Sequence, residues 1–254
     1  MTRYRNRGVL QTIFLAVLLG GSTQRALSAD DSIVSDLDYD YREFVYWLKR
    51  ASDEKKIPGA ALAIVSREGI MYLQTWGLGD VSNQERVTND TVFRIASMSK
   101  TFAGAAAALL VEQDLQSWDT KIRDVFPDLH IGNKAVSRGI TLKHVVSHST
   151  GLMPHSYSNM LDDGVVYEKI RNKFHQIPTV CSPGECYGYQ NVIFSLIADV
   201  VENSTNISYE EVLSEEIFKP LGMTSASVGM DAFVNDPNAA EPHRMVRGNW
   251  RTTT

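Results

Sequence analysis

The 254-residue chain is 43% hydrophobic and 22% charged, with a formal net charge of −5. Such a composition excludes a disordered chain and is long enough to bury a core as one large domain or two small ones. The acidic balance argues against nucleic acid as a partner, and no segment beyond the N-terminus is long and apolar enough to span a bilayer.

The first residues read as a secretory signal peptide. Arg3, Arg5 and Arg7 precede a short apolar run from Val9 to Gly21, and small residues follow at Ala26, Ser28 and Ala29. This layout predicts cleavage near Ala29, leaving residues 30–254 as the exported part, periplasmic or secreted. Export gives meaning to Cys181 and Cys186 in Cys-Ser-Pro-Gly-Glu-Cys. In an oxidising compartment such a pair can close a small loop, so a disulfide is expected.

In chain order, the first element is an amphipathic helix over 40–51, where Tyr41, Phe44, Val45 and Leu48 recur at helical spacing. Residues 60–66 and 70–76 are Val-, Ile-, Tyr- and Trp-bearing runs around Arg67-Glu68-Gly69, which predicts a β-hairpin. The stretch 101–113 is Ala-rich and apolar nearly all round, the pattern of a helix buried on every side. Further helices are expected over 141–147, 191–202 and 208–219. The last opens with Ser208 and Glu211 at capping-box spacing and stops at Pro220. The chain ends at residues 250–254 with no closing strands or terminal helix expected. Strands first, then helices without βαβ alternation, predict the α+β class.

The sharpest chemical signal is Ser97-Met98-Ser99-Lys100. A serine hydroxyl is a poor nucleophile until a base takes its proton. Residues three apart share a helix face, so Lys100 would meet Ser97 one turn on. A helix N-terminus there would favour negative charge developing near Ser97. A second copy, Ser52 with Lys55, lies among Asp53, Glu54 and Lys56 and reads as a surface accident in a solvated charge run. The second signal is Tyr189-Gln190-Asn191, entering a helix. Two residues apart, Tyr189 and Asn191 can point the same way, the phenol to carry a proton and the amide to hold a substrate. Tyr157-Ser158-Asn159 has the same spacing but is expected in a polar loop with no helix after it.

On these residues the chain resembles the serine β-lactamases of class C and their relatives, the penicillin-binding carboxypeptidases, D-amino-acid-specific peptidases and esterases. The resemblance rests on Phe93 to Lys100, His148-Ser149-Thr150-Gly151-Leu152, Pro183 to Asn191, and Pro220-Leu221-Gly222-Met223-Thr224, in the family's order. It implies an antiparallel sheet flanked by helices, with a mainly helical subdomain. It implies that Ser97 is acylated by a β-lactam, amide or ester, that Lys100 and Tyr189 manage the proton, and that Asn191 holds the substrate side chain. The expected partner is therefore a small-molecule or peptide substrate, with no cofactor and no metal. One departure stands out. The family's third element, Lys-Thr-Gly or a His-containing variant on a strand, has no counterpart after Asn191, so a C-terminally incomplete chain is expected.

Two readings compete. His144 and His148 are four apart on an expected helix, a zinc-ligand spacing, but Val145 stands where the general-base Glu of His-Glu-x-x-His would be. A non-catalytic penicillin-binding sensor would be acylated without turnover. Asn-x-Ser/Thr triplets begin at Asn89, Asn203 and Asn206 and matter only in a eukaryotic secretory pathway. Nothing in the sequence sets an oligomeric state.

Overall fold

The computed structural model describes residues 39–54 and 57–253. The expected signal peptide and Lys55 lie outside the described residues. The described residues form two compact units, one of those in 39–89 together with 242–253, the other Asp90–Glu241.

The first unit opens with helix α1 (Tyr39–Glu54). Its buried Val45 packs on Tyr72, with Leu62 and Ile64 alongside. The hairpin forms as the two β-former-rich runs around Arg67-Glu68-Gly69 predict. Strand β1 (Gly59–Ser66) pairs antiparallel with β2 (Gly69–Asp80), in a register running from Gly59 opposite Gly77 to Ser66 opposite Gly69. A short β3 (Glu85–Arg86) completes the order β1-β2-β3. Ser52 corrects the sequence reading. It is buried, 3% exposed, and its Oγ accepts from Trp76 Nε1 at 2.9 Å, so it ties α1 to β2 rather than sitting in a solvated run.

The chain's end corrects a second expectation. Strands β4 (His243–Val246) and β5 (Asn249–Thr252) form an antiparallel hairpin. Arg247 and Gly248 both have positive φ, 49° and 81°, the backbone of a two-residue hairpin turn that matches strand twist. His243 Nε2 accepts from the Val81 amide at 3.2 Å.

The second unit is helical. A 3₁₀ turn, Ala96–Met98, leads into helix α2 (Ser99–Glu112). Ala103, Ala106, Ala107 and Leu110 bury one face of α2, while Thr101, Ala105 and Ala108 are exposed. The helix is thus not enclosed on every side. Its small alanines permit close packing without demanding burial all round. Helix α3 (Leu142–Val146) begins with a capping box. Thr141 Oγ1 accepts from the His144 amide, and His144 Nδ1 accepts from the Thr141 amide at 3.2 Å, which satisfies donors a helix start leaves open. Helix α4 (Ser158–Asp162) follows Tyr157 directly, so the rival Tyr-x-Asn does precede a helix.

The single helix expected over 191–202 is two, α5 (Asn191–Phe194) and α6 (Leu196–Thr205). At the break, Ser195 Oγ donates back to the Asn191 carbonyl at 3.2 Å, a local bond that competes with the helix ladder. Helix α7 (Tyr209–Leu213) starts under the Ser208 cap, whose Oγ accepts from the Glu211 amide, and then widens to a π turn over Ser214–Phe218. Phe174, Ile140, Ile170, Val192, Leu196 and Val201 are all fully buried in this unit's core. Each such aliphatic or aromatic side chain contributes roughly 1.5–3 kcal/mol. Among the described residues, no helix is long and apolar enough to cross a membrane.

Candidate active site

The four residues singled out in the sequence come together in the second unit. Ser97 lies in the 3₁₀ turn, its side chain exposed. The residue before it, Ala96, has φ 47°, a left-handed conformation that costs an alanine about 1–2 kcal/mol. Lys100, one turn on, donates to Ser97 Oγ at 3.3 Å and to Asn191 Oδ1 at 2.9 Å. Tyr189 donates its hydroxyl to Ser97 Oγ at 2.8 Å. Lys100 Nζ also lies 5.0 Å from the ring centre of Tyr189 and 5.5 Å from that of Phe194.

This arrangement has an electrostatic consequence. The Lys100 ammonium and the Ser97 hydroxyl hold the Tyr189 phenol below its ordinary value of 10.0, against a smaller effect of burial. A phenol so placed gives up its proton more readily than a free tyrosine, which favours the phenolate.

Tyr189 reaches Ser97 because its segment is pinned on both sides. Cys181 and Cys186 are joined by a disulfide, Cα to Cα 6.3 Å. The Gly184 amide donates to the Ser149 carbonyl at 2.7 Å, and the Gly188 amide to the His148 carbonyl at 2.8 Å. The His155 amide donates to the Tyr189 carbonyl at 2.8 Å. Gln190 is 1% exposed, and its Nε2 donates to the Met153 carbonyl. Asn191 begins α5, with Nδ2 3.5 Å from Ser158 Oγ.

The remaining candidates go elsewhere. Tyr157 turns its hydroxyl toward Gln176 Oε1 at 3.5 Å, so the rival tripeptide contributes Ser158 to the site and not its tyrosine. His144 and His148 have separate partners. His144 serves the α3 cap, and His148 Nδ1 accepts from the Gln190 amide at 3.3 Å. The sequence reading treated His148 as structural and overlooked Ser158, His155 and Gln190 at the site. The signal for His148 was its place in the His148–Leu152 element.

A family model described as Beta-lactamase matches residues 44–253. The chain is 25% identical over 206 residues to the unguisins hydrolase ungD of Aspergillus violaceofuscus, covering 78% of this chain and 35% of that protein. It is 26% identical over 190 residues to a beta-lactamase of Escherichia coli K12, covering 74% of this chain and 47% of that one. Among solved structures, the octameric penicillin-binding protein homologue from Pyrococcus abyssi matches with TM-score 0.73 at 24% identity, covering 84% of this chain and 50% of that chain. A class C beta lactamase matches with TM-score 0.65 at 22% identity, covering 83% and 54%. The chain therefore has the β-lactamase/transpeptidase-like fold, and it spans about half or less of the length of these curated relatives.

Proposed function

The chain belongs to the beta-lactamase family, and we propose that it is a secreted serine hydrolase that opens a β-lactam, or a related amide or ester, through an acyl-enzyme on Ser97. The observation that carries this reading is the double contact on one hydroxyl. Ser97 Oγ lies 2.8 Å from Tyr189 Oη, within the range a general base needs, and 3.3 Å from Lys100 Nζ.

In the proposed acylation Tyr189 acts as phenolate: Ser97 Oγ attacks the carbonyl carbon and its proton passes to the Tyr189 oxygen. The Ser97–acyl bond forms as the C–N or C–O bond breaks, and the proton on Tyr189 goes to the leaving nitrogen or oxygen. Water then attacks the ester, its proton passing by way of the Tyr189 phenolate to Ser97 Oγ as the Ser97–acyl bond breaks and the acid is released. The Lys100 ammonium stabilises the phenolate and orients Asn191, whose amide holds the substrate. Secretion is supported by the Cys181–Cys186 disulfide, a bond that persists in oxidising compartments.

The test is covalent labelling. A fluorophosphonate or labelled penicillin is expected to modify the protein at Ser97, located by peptide mass spectrometry, and the Ser97→Ala variant is expected to stay unlabelled. Labelling that persists in that variant would sink the proposal. Product release after the burst separates a hydrolase from a protein that is merely acylated.

A further inference from the structure

His148 holds Tyr189 from three directions. Its carbonyl takes the Gly188 amide at 2.8 Å, and its Nδ1 takes the Gln190 amide at 3.3 Å, so both neighbours of Tyr189 hang on one residue. Its ring stands 4.5 Å from the Tyr189 ring and 4.9 Å from the Phe194 ring, centre to centre, with Tyr187 edge-on at 5.9 Å. The residue adopts φ 55° to do this, a conformation uncommon outside glycine and tolerated best by Asn, Asp and His. We propose that His148 positions Tyr189, and that it does so as a neutral imidazole whose unprotonated Nδ1 accepts the Gln190 amide.

The chemistry of imidazole makes the protonation state decisive. A neutral ring offers one acceptor and one donor, whereas imidazolium offers two donors. Protonated, Nδ1 would face the Gln190 N–H with a second N–H, and that bond would be lost. A second cation would also stand beside Lys100, whose ammonium lies against the same two rings. The groups facing the imidazole are Lys100 from α2, Tyr187 and Tyr189 from the segment before α5, and Phe194 within α5. His155 lies on Tyr189, 5.5 Å away ring to ring. Burial, then the Lys100 charge, hold His148 below its ordinary value of 6.5. Both effects keep the ring neutral at neutral pH. The inference rests on the proposed role of Tyr189 in acylating Ser97.

Two variants separate positioning from bulk structure. His148→Asn keeps an oxygen acceptor near the Nδ1 position and suits a left-handed backbone, but it does not titrate. His148→Phe keeps a ring between Tyr189 and Phe194 but has no acceptor. The rate of Ser97 labelling by a fluorophosphonate is measured from about pH 4.5 to about pH 9. In the wild type, the fall in rate toward acid is expected to steepen by one proton below pH 6.5. In His148→Asn that steepening is expected to vanish, with the rate at about pH 8 within about tenfold of wild type. In His148→Phe the rate is expected to lie about a hundredfold below that of His148→Asn at every pH, the size of effect a displaced catalytic group produces. Persistence of the steepening in His148→Asn would overturn the proposal. Labelling of a folded His148→Phe as fast as His148→Asn would do the same. Should His148→Phe fail to fold, the Asn profile decides alone. NMR supplies a readout independent of Ser97 chemistry. The Gln190 amide resonance should titrate with the His148 ring in the wild type and stay flat in His148→Asn. A Gln190 amide indifferent to that ring refutes the positioning role, whereas absent labelling with a responsive amide refutes only the proposed activity.

Discussion

Gly151 offers a perturbation whose cost can be divided into parts. It has φ 80°, and a Cβ there would lie 2.3 Å from the Cys181 carbonyl oxygen. That oxygen cannot easily retreat, because Cys181 is in the disulfide and the Gly151 carbonyl receives the Val180 amide at 2.9 Å. Gly151→Ala therefore carries two penalties. The left-handed backbone costs about 1–2 kcal/mol, and the overlap with fixed backbone about 1–3 kcal/mol. Gly164 is the control, with φ 74° and no atom within 4 Å of a built Cβ. Gly164→Ala pays the backbone part alone. At roughly 2–4 °C per kcal/mol for a domain of this size, Gly151→Ala should lower Tm by about 4–20 °C and Gly164→Ala by about 2–8 °C. Differential scanning calorimetry of both variants measures the difference. Equal Tm values would show that the Gly151–Cys181 approach is not a constraint on this fold. Labelling of Ser97 should slow in Gly151→Ala and hold in Gly164→Ala, since only the first disturbs the segment that carries Tyr189.

Lys100→Arg should fold but lose at least about a hundredfold in Ser97 labelling. A larger, planar, delocalised guanidinium cannot replace a compact point charge shared by Ser97, Asn191 and two rings, and a wild-type rate with a native circular dichroism spectrum would refute that role. In the wild type, labelling should rise with pH through the Tyr189 phenol, because the deprotonated form is the base and its pKa lies below 10.0. Lys100→Met removes the ammonium that lowers it, so the limb should move to higher pH; an unmoved limb would assign it to another group. Intact mass with and without reductant should differ by two protons, and Cys181→Ser should cost about 2 kcal/mol in chemical denaturation, as expected for closing so short a loop.

Local pattern made much of the fold legible. Two runs rich in β-formers around Arg67-Glu68-Gly69 marked the β1–β2 hairpin, and the apolar spacing around Val45 marked α1. The Ser208–Glu211 spacing marked where α7 starts. What failed depended on side chains bonding back to the main chain or on size. Ser195 splits one helical pattern into two helices, and alanine is apolar without needing enclosure, so α2 reads as more buried than it is. The terminal hairpin escaped notice because its turn is Arg247-Gly248, where an arginine takes a positive φ usually left to Asn, Asp or Gly. At the site, the Ser97–Lys100 pairing follows from one helical turn. The meeting with Tyr189, 92 residues away, has no periodicity to announce it; the Tyr189-Gln190-Asn191 spacing suggested a proton carrier, and the family resemblance strengthened it. The disulfide was legible from spacing and export, whereas the hold of His148 on Tyr189 depends on a left-handed residue that no apolar pattern marks.

The bond from Lys100 to Asn191 also gives the site a direction. An amide has two unlike ends, and the ammonium, 2.9 Å from Oδ1, accepts only the oxygen. The Asn191 dipole is thereby fixed, with its NH₂ end turned toward Ser158 and away from the cation. Beside Ser97 the Asn191 amide consequently offers a hydrogen donor. Under the proposed function that donor would receive a substrate carbonyl and disfavour an approaching N–H, and a variant that left Asn191 free to rotate would lose this polarity.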